Sequence, residues 1–224
     1  YQEATWSPTG AYLLFHVGAW EGAGYELYHL QTGRLTPVNR PNDDFYVSAF
    51  PPDGWAWGHD EQSGYIASAD MRGYGPGLFR FDIAQGTTTQ ITTTIPSPKD
   101  TFFAAGAIPR GVFATPAGAL YLFLNMKDAP TLFQLYQWQP NQPPKRLNET
   151  PLTIAGEVRW APDGRGALVV TERGSDEWEY PIGPLQWISP DGGVYPLSIQ
   201  GRHLQWGAAQ APPETNADST TDHS

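Results

Sequence analysis

Apolar and polar residues alternate along this chain in short runs, and several runs end in turns of one recurring form. Trp160-Ala161-Pro162-Asp163-Gly164 follows a strand-like stretch and leads into an apolar one. Trp6-Ser7-Pro8-Thr9-Gly10 and Phe50-Pro51-Pro52-Asp53-Gly54 have the same form, and Ala114-Thr115-Pro116-Ala117-Gly118 is a worn copy. Proline presets φ for a tight turn and glycine takes the left-handed position that ends it, so each copy reads as a hairpin corner. The prolines at 8, 52, 116 and 162 stand 44, 64 and 46 residues apart. Units of roughly 40–50 residues with four short strands each predict β-propeller blades.

The first unit is the clearest, with strands expected at 3–6, 11–17, 25–30 and 34–38. Its second strand is an almost unbroken apolar run, as a strand covered on both faces requires. Unit two is expected to place its first strand at 46–50, then the Pro52-Asp53-Gly54 corner, an insertion at 55–77, and strands at 78–83 and 87–93. A second insertion, 94–110, leads to unit three, with strands at 111–115, 119–126, 131–139 and 145–148. Unit four has strands at 157–160, 167–172, 184–189 and 194–198, the last two joined by a hairpin turn at Asp191-Gly192-Gly193. Residues 202–206 look like a fifth first strand, with Trp206 standing 46 residues after Trp160. The stretch 207–224 has no apolar period and reads as a disordered tail. The fold class expected is all-β: four four-stranded blades (1–40, 45–93, 111–148, 156–198) plus a closing strand at 202–206, as part of a larger propeller.

Three of the units resemble the WD40-like (PD40-type) repeat of TolB-like propellers. The residues that carry the likeness are Trp6 to Gly10 with Leu27-Tyr28 and Leu35-Thr36, then Pro52-Asp53-Gly54 with Phe79 to Asp82 and Ile91-Thr92, and Trp160 to Gly164. Unit three lacks the corner aspartate and unit four lacks the closing Leu-Thr. The resemblance implies a propeller over residues 1 to about 206 and an extracytoplasmic setting, periplasm or cell surface, while the lack of cysteine is compatible with an envelope or a cytosolic location alike. It leaves function open, because one fold hosts many roles.

Composition supports this picture. The 224 residues include 24 Gly, 22 Pro, 9 Trp, 11 Tyr and 10 Phe, a balance that suits short strands and tight turns. A net charge of −10 argues against nucleic acid and anionic membrane surfaces as partners. The absence of cysteine excludes disulfides and thiolate metal sites. No segment approaches the ~20 apolar residues of a membrane span, so no membrane insertion is expected. The chain starts at Tyr1, not Met, and reads as trimmed or processed.

Candidate chemistry is sparse. There is no Gly-x-Ser-x-Gly elbow, and the histidines (16, 29, 59, 203 and 223) have no zinc-site spacing, so no catalytic residue, metal or cofactor is expected. His16 lies in an apolar strand and reads as a hydrogen-bonded core residue. Ser189-Pro190-Asp191-Gly192-Gly193 is similar to an Asp-box but is fully explained as a hairpin turn, and the sequon Asn148-Glu149-Thr150 reads as chance.

The tryptophans of first strands (Trp6, Trp160, Trp206) and third strands (Trp138, Trp187) are expected to pack between blades. Trp20, Trp55, Trp57 and Trp178 fall in loops rich in glycine and acid, and His59-Asp60-Glu61 is a compact polar trio. The second-to-third and fourth-to-first connections emerge on one face of a propeller, where recognition is expected. That face is predicted to carry Trp20, Glu21, His59, Asp60, Glu61, Tyr74, Trp178, Glu179 and Tyr180. Aromatics flanked by carboxylates suit a basic or polyhydroxylated partner, whether protein, peptide or glycan. The competing class is a hydrolase or lyase domain acting on glycan or peptide. It needs two carboxylates, Glu61 and Glu179 first, within ~5–10 Å of each other.

Overall fold

The computed structural model describes residues 3–19, 22–38, 54–68, 77–91, 109–126, 129–139, 142–172 and 183–201, with 204 and 206. Over these residues the chain forms four antiparallel sheets and no helix, arranged as a four-bladed β-propeller. Blade 1 is β1 (Glu3–Trp6), β2 (Tyr12–Ala19), β3 (Gly22–His29) and β4 (Arg34–Pro37), and blade 2 is β5 (Trp55–Trp57), β6 (Ser63–Ser68), β7 (Gly77–Asp82) and β8 (Thr87–Gln90). Blade 3 is β9 (Pro109–Ala114), β10 (Leu120–Met126), β11 (Ala129–Trp138) and β12 (Lys145–Arg146), and β13 (Leu152–Thr153) also pairs with β11. Blade 4 is β14 (Val158–Trp160), β15 (Ala167–Val170), β16 (Gly183–Ile188) and β17 (Val194–Gly201). Apart from the β11–β13 pair, each sheet runs in sequence order, so its neighbouring strands are joined as hairpins.

Strand chemistry follows the position in the blade. β10 is buried on both faces, with Leu120, Leu122, Phe123 and Leu124 all covered, which is why it reads as a continuous apolar run. The fourth strands β4, β12 and β17 are largely exposed and carry few buried side chains.

Cores form between blades. Leu14, Tyr25, Leu27 and Val38 of blade 1 or its edge meet Ile66, Phe79 and Phe81 of blade 2. Ala56, Ala67 and Leu78 of blade 2 meet Val112, Leu120 and Leu122 of blade 3. Phe123, Phe133 and Leu135 of blade 3 meet Val158, Trp160 and Val169 of blade 4. At the last of these seams Trp160 Nε1 donates to the Gly111 carbonyl at 2.6 Å. A Cβ on Gly111 would stand 2.3 Å from Val158 Cγ1, so only glycine fits there.

Blade 2 departs from the expected strand order. Its first strand is Trp55–Trp57, paired with Ser63–Ser68, so Pro52-Asp53-Gly54 precedes this hairpin and does not form its corner. The expected strand at 46–50 lies outside the described residues. The corner is instead Gly58-His59-Asp60-Glu61. Gly58 N–H donates to Ser63 O and Glu61 N–H to Gly58 O, the same two bonds that Ser7 and Gly10 make in blade 1. With His59 as the counterpart of Pro8, Pro116 and Pro162, corner spacings become 51, 57 and 46. Trp55 and Trp57 are therefore strand residues, in contact with Tyr25, Phe81 and Tyr12, not loop residues.

Two further expectations concern tryptophans. Trp160 is packed as expected, stacked with Phe113 and Tyr121 and 9% exposed. Trp6, the same position in blade 1, is 58% exposed. Of the expected closing strand, Leu204 is buried and Trp206 meets Trp187 edge-on at 5.8 Å, while 202, 203 and 205 lie outside the described residues.

Candidate functional site

The first strands of the four blades, β1, β5, β9 and β14, line a shared central space of ≈ 580 Å³. Its walls are aromatic, with Trp6, Tyr25, Trp55, Trp57, Phe113 and Trp160. Each corner sends the same turn position to the rim: Pro8, His59, Pro116 and Pro162. A repeated hairpin corner thus builds a ring, because the turn that reverses each first strand must lie at one end of it.

Three corners end in glycine at positive φ, namely Gly10 (76°), Gly118 (78°) and Gly164 (71°). The fourth ends in Glu61 at 52°, alone among the described non-glycine residues in having a positive φ. That backbone region costs an L-residue roughly 1–2 kcal/mol. Glu61 is 7% exposed, and its carboxylate reaches across the seam to blade 1. One oxygen accepts the Thr9 backbone N–H at 2.5 Å and the other the Thr9 hydroxyl at 2.6 Å.

The other charges at the funnel also have partners. Arg159 pairs with Glu157 at 3.3 Å, and Asp163 pairs with Arg165 at 3.2 Å. Asp60 accepts the Gln62 N–H at 3.0 Å, which shapes its own turn. His16 is buried in the wall, 5.5 Å from the Tyr25 ring. No group of three or more metal-ligating side chains occurs among the described residues. The surface on offer is therefore aromatic and proline-rich, with Glu61 engaged across the seam by Thr9 and the charges of Arg159 and Asp163 paired locally.

Of the predicted site residues, His59 and Glu61 line this space, His59 exposed and Glu61 buried, and Asp60 is exposed in the turn between them. They occupy a first-to-second-strand corner, at the end of β6 opposite its connection to β7. The expectation that they share the loop face of the second-to-third connections is therefore overturned. Trp20, Glu21, Tyr74, Trp178, Glu179 and Tyr180 lie outside the described residues.

Two minor motifs resolve cleanly. Asn148 is buried, accepting the Leu135 N–H at 2.6 Å and donating to Thr150 O at 2.7 Å, so the sequon is a structural joint. Asp191 accepts from the Ser189 hydroxyl and the Gly193 N–H, the pattern of a hairpin turn. Missed from sequence were Trp6, Thr9 and the ring of corner positions. The recurrence of the corner was the available signal, but the Pro-Pro-Asp-Gly at 51–54 diverted it in blade 2.

No family model and no curated sequence matches the chain. Solved structures do match, and the fold they share is the TolB-like β-propeller. TolB from Acinetobacter baumannii aligns at 18% identity with a TM-score of 0.57, covering 87% of this chain and 43% of that one. A putative TolB from Agrobacterium tumefaciens aligns at 16% identity and 0.58, covering 89% and 65%. A puromycin-hydrolyzing peptidase from Mycobacterium tuberculosis aligns at 15% and 0.53, covering 86% of this chain but 28% of that chain. At these identities the likeness is one of fold, and the chain spans less than two thirds of either TolB structure.

Proposed function

We propose that this chain is a non-enzymatic binding module that recognises a protein, peptide or glycan partner in its central funnel. The observation that carries this reading is the convergence of six aromatic side chains and four equivalent corner positions on one space of ≈ 580 Å³. Concave sites lined by aromatics with a few placed polar groups are the usual form of a binding pocket. Trp6, 58% exposed among the described residues, supplies a large apolar face to this space. We place the protein outside the cytoplasm, in keeping with the TolB-like fold.

The hydrolase or lyase reading needs a carboxylate available to reacting atoms. Glu61, its described candidate, has both oxygens engaged by Thr9, which argues against that role. The test is affinity capture from the native host with wild-type protein beside Trp6→Ala. A partner held by wild type and lost by the variant, with unchanged circular dichroism, supports the funnel. Equal recovery of every partner by both proteins ends the reading. Glycoside or peptide turnover abolished by Glu61→Gln would replace it with the enzyme.

A further inference from the structure

We infer that Glu61 is a positioning residue, a latch that holds the blade 1 corner and the Trp6 edge of the funnel against blade 2. Three observations meet at this residue. Its backbone sits in the left-handed region where the other three corners use glycine. Strained positions of this kind persist where the surrounding structure over-determines them, and they concentrate at ligand clamps and switch regions. The Glu61 carboxylate is buried, and both its oxygens are spent on one residue of the neighbouring blade, 52 positions earlier in the chain.

The consequence for the funnel comes from where Thr9 lies. Thr9 is in the turn that directly follows β1, and β1 ends in Trp6. Trp6 is 58% exposed, whereas its counterpart Trp160 is stacked on Phe113 and Tyr121. Packing therefore does little to fix Trp6, and the bond from Glu61 to the following corner becomes its tether. Among the described residues, Asp163, at the turn position before glycine in blade 4, bonds within its own corner, to Arg165. Glu61 thus couples two blades where the blade 4 corner closes on itself. Its effect on partner binding rests on the funnel reading, but its test does not need a partner.

The test is native-state amide hydrogen exchange on Glu61→Gly. Glycine is the residue that the other corners carry, so the variant is expected to fold. The informative amides are Ser7, Gly10 and Tyr12, whose acceptors are Tyr12 O, Ser7 O and Ser7 Oγ and not Glu61. We expect these three to exchange about 10- to 100-fold faster, the range set by loss of a charge-assisted hydrogen bond. Leu122 and Leu135 of blade 3 should accelerate less than about 10-fold, following only the smaller fall in global stability that remains after the corner strain is relieved. Glu61→Gln retains an oxygen for the Thr9 N–H and should recover part of the protection. Acceleration confined to Thr9 overturns the latch, because the contact would then hold nothing beyond itself. Equal acceleration in blade 3 also overturns it, since Glu61 would then act on global stability alone. A Gln variant as open as Gly would remove the hydrogen-bond basis. None of these outcomes depends on partner capture, so this inference and the funnel reading can fail separately.

Discussion

The corners of blades 2 and 4 make the same turn from different residues. In blade 4, Trp160 is buried against blade 3, Pro162 and Asp163 shape the turn, and Gly164 takes positive φ. In blade 2, Trp57 lies 6.2 Å from Tyr12 with its rings tilted, histidine replaces proline, and Glu61 takes the left-handed position. Both turns close with the same pair of backbone hydrogen bonds, Ala161 N to Gly166 O with Gly164 N to Ala161 O, and their blade 2 equivalents. The turn is thus imposed by the two strands it joins, and Pro-Asp-Gly is one way of satisfying it. Where glycine is absent, the strain has to be offset by something else, and in blade 2 that is a pair of bonds to the preceding blade.

The largest expected effect tests the packing half of this contrast. Trp160→Ala removes three aromatic contacts and the hydrogen bond to Gly111, and should cost ~3–5 kcal/mol in denaturant unfolding. Trp6→Ala, at the same turn offset but exposed, should change stability by no more than about 0.5 kcal/mol. Similar losses at both sites would show that Trp6 is packed in solution.

Next comes the strained corner. Glu61→Gly regains roughly 1–2 kcal/mol of backbone strain but gives up two charge-assisted bonds worth about 1.5–3 kcal/mol each. A net loss of about 1 kcal/mol is expected, measured as a fall in unfolding midpoint and smaller than the local opening at the blade 1 corner. A gain in stability would mean that the carboxylate does not compensate the strain. The reverse exchange, Gly164→Glu, should lose about 1–2 kcal/mol through the backbone alone. Its Cβ would also stand 2.5 Å from Phe113 Cε1, so that ring must shift.

The smallest effect lies at the other corner of blade 4, between β16 and β17. The Ser189 hydroxyl and then the Gly193 N–H hold the Asp191 carboxyl below its ordinary value. A depressed carboxylate contributes stability that is present above the unfolded-state value and is lost as pH falls through the folded one. Asp191→Asn should therefore be slightly less stable than wild type at neutral pH and converge with it in strong acid. A gap that persists unchanged at low pH would show that the hydrogen bonds do not require the charge.

Most of the blades were legible in the chain because each strand pair is local. Alternation placed β1 to β4 and β9 to β11 within a few residues, and the Asp191 turn was recognisable from its own chemistry. Blade 2 was misread because Pro51-Pro52-Asp53-Gly54 satisfies the turn signature, while Gly58-His59-Asp60-Glu61 does not. A glutamate at positive φ has no local sequence signal, since its stabilising partner lies 52 residues away at Thr9. The candidate site suffered from the same error. Assigning His59, Asp60 and Glu61 to a second-to-third connection put them at the wrong end of β6.

The sequence by itself determined the repeat, the all-β class and the hairpin character of each blade, since these rest on patterns a few residues long. Only the tertiary structure decided which strand leads blade 2, which tryptophans are covered, and that four corners close around one aromatic funnel. Those outcomes depend on what the neighbouring blade presents at each seam, and the neighbour of any residue across a seam lies some fifty positions away along the chain.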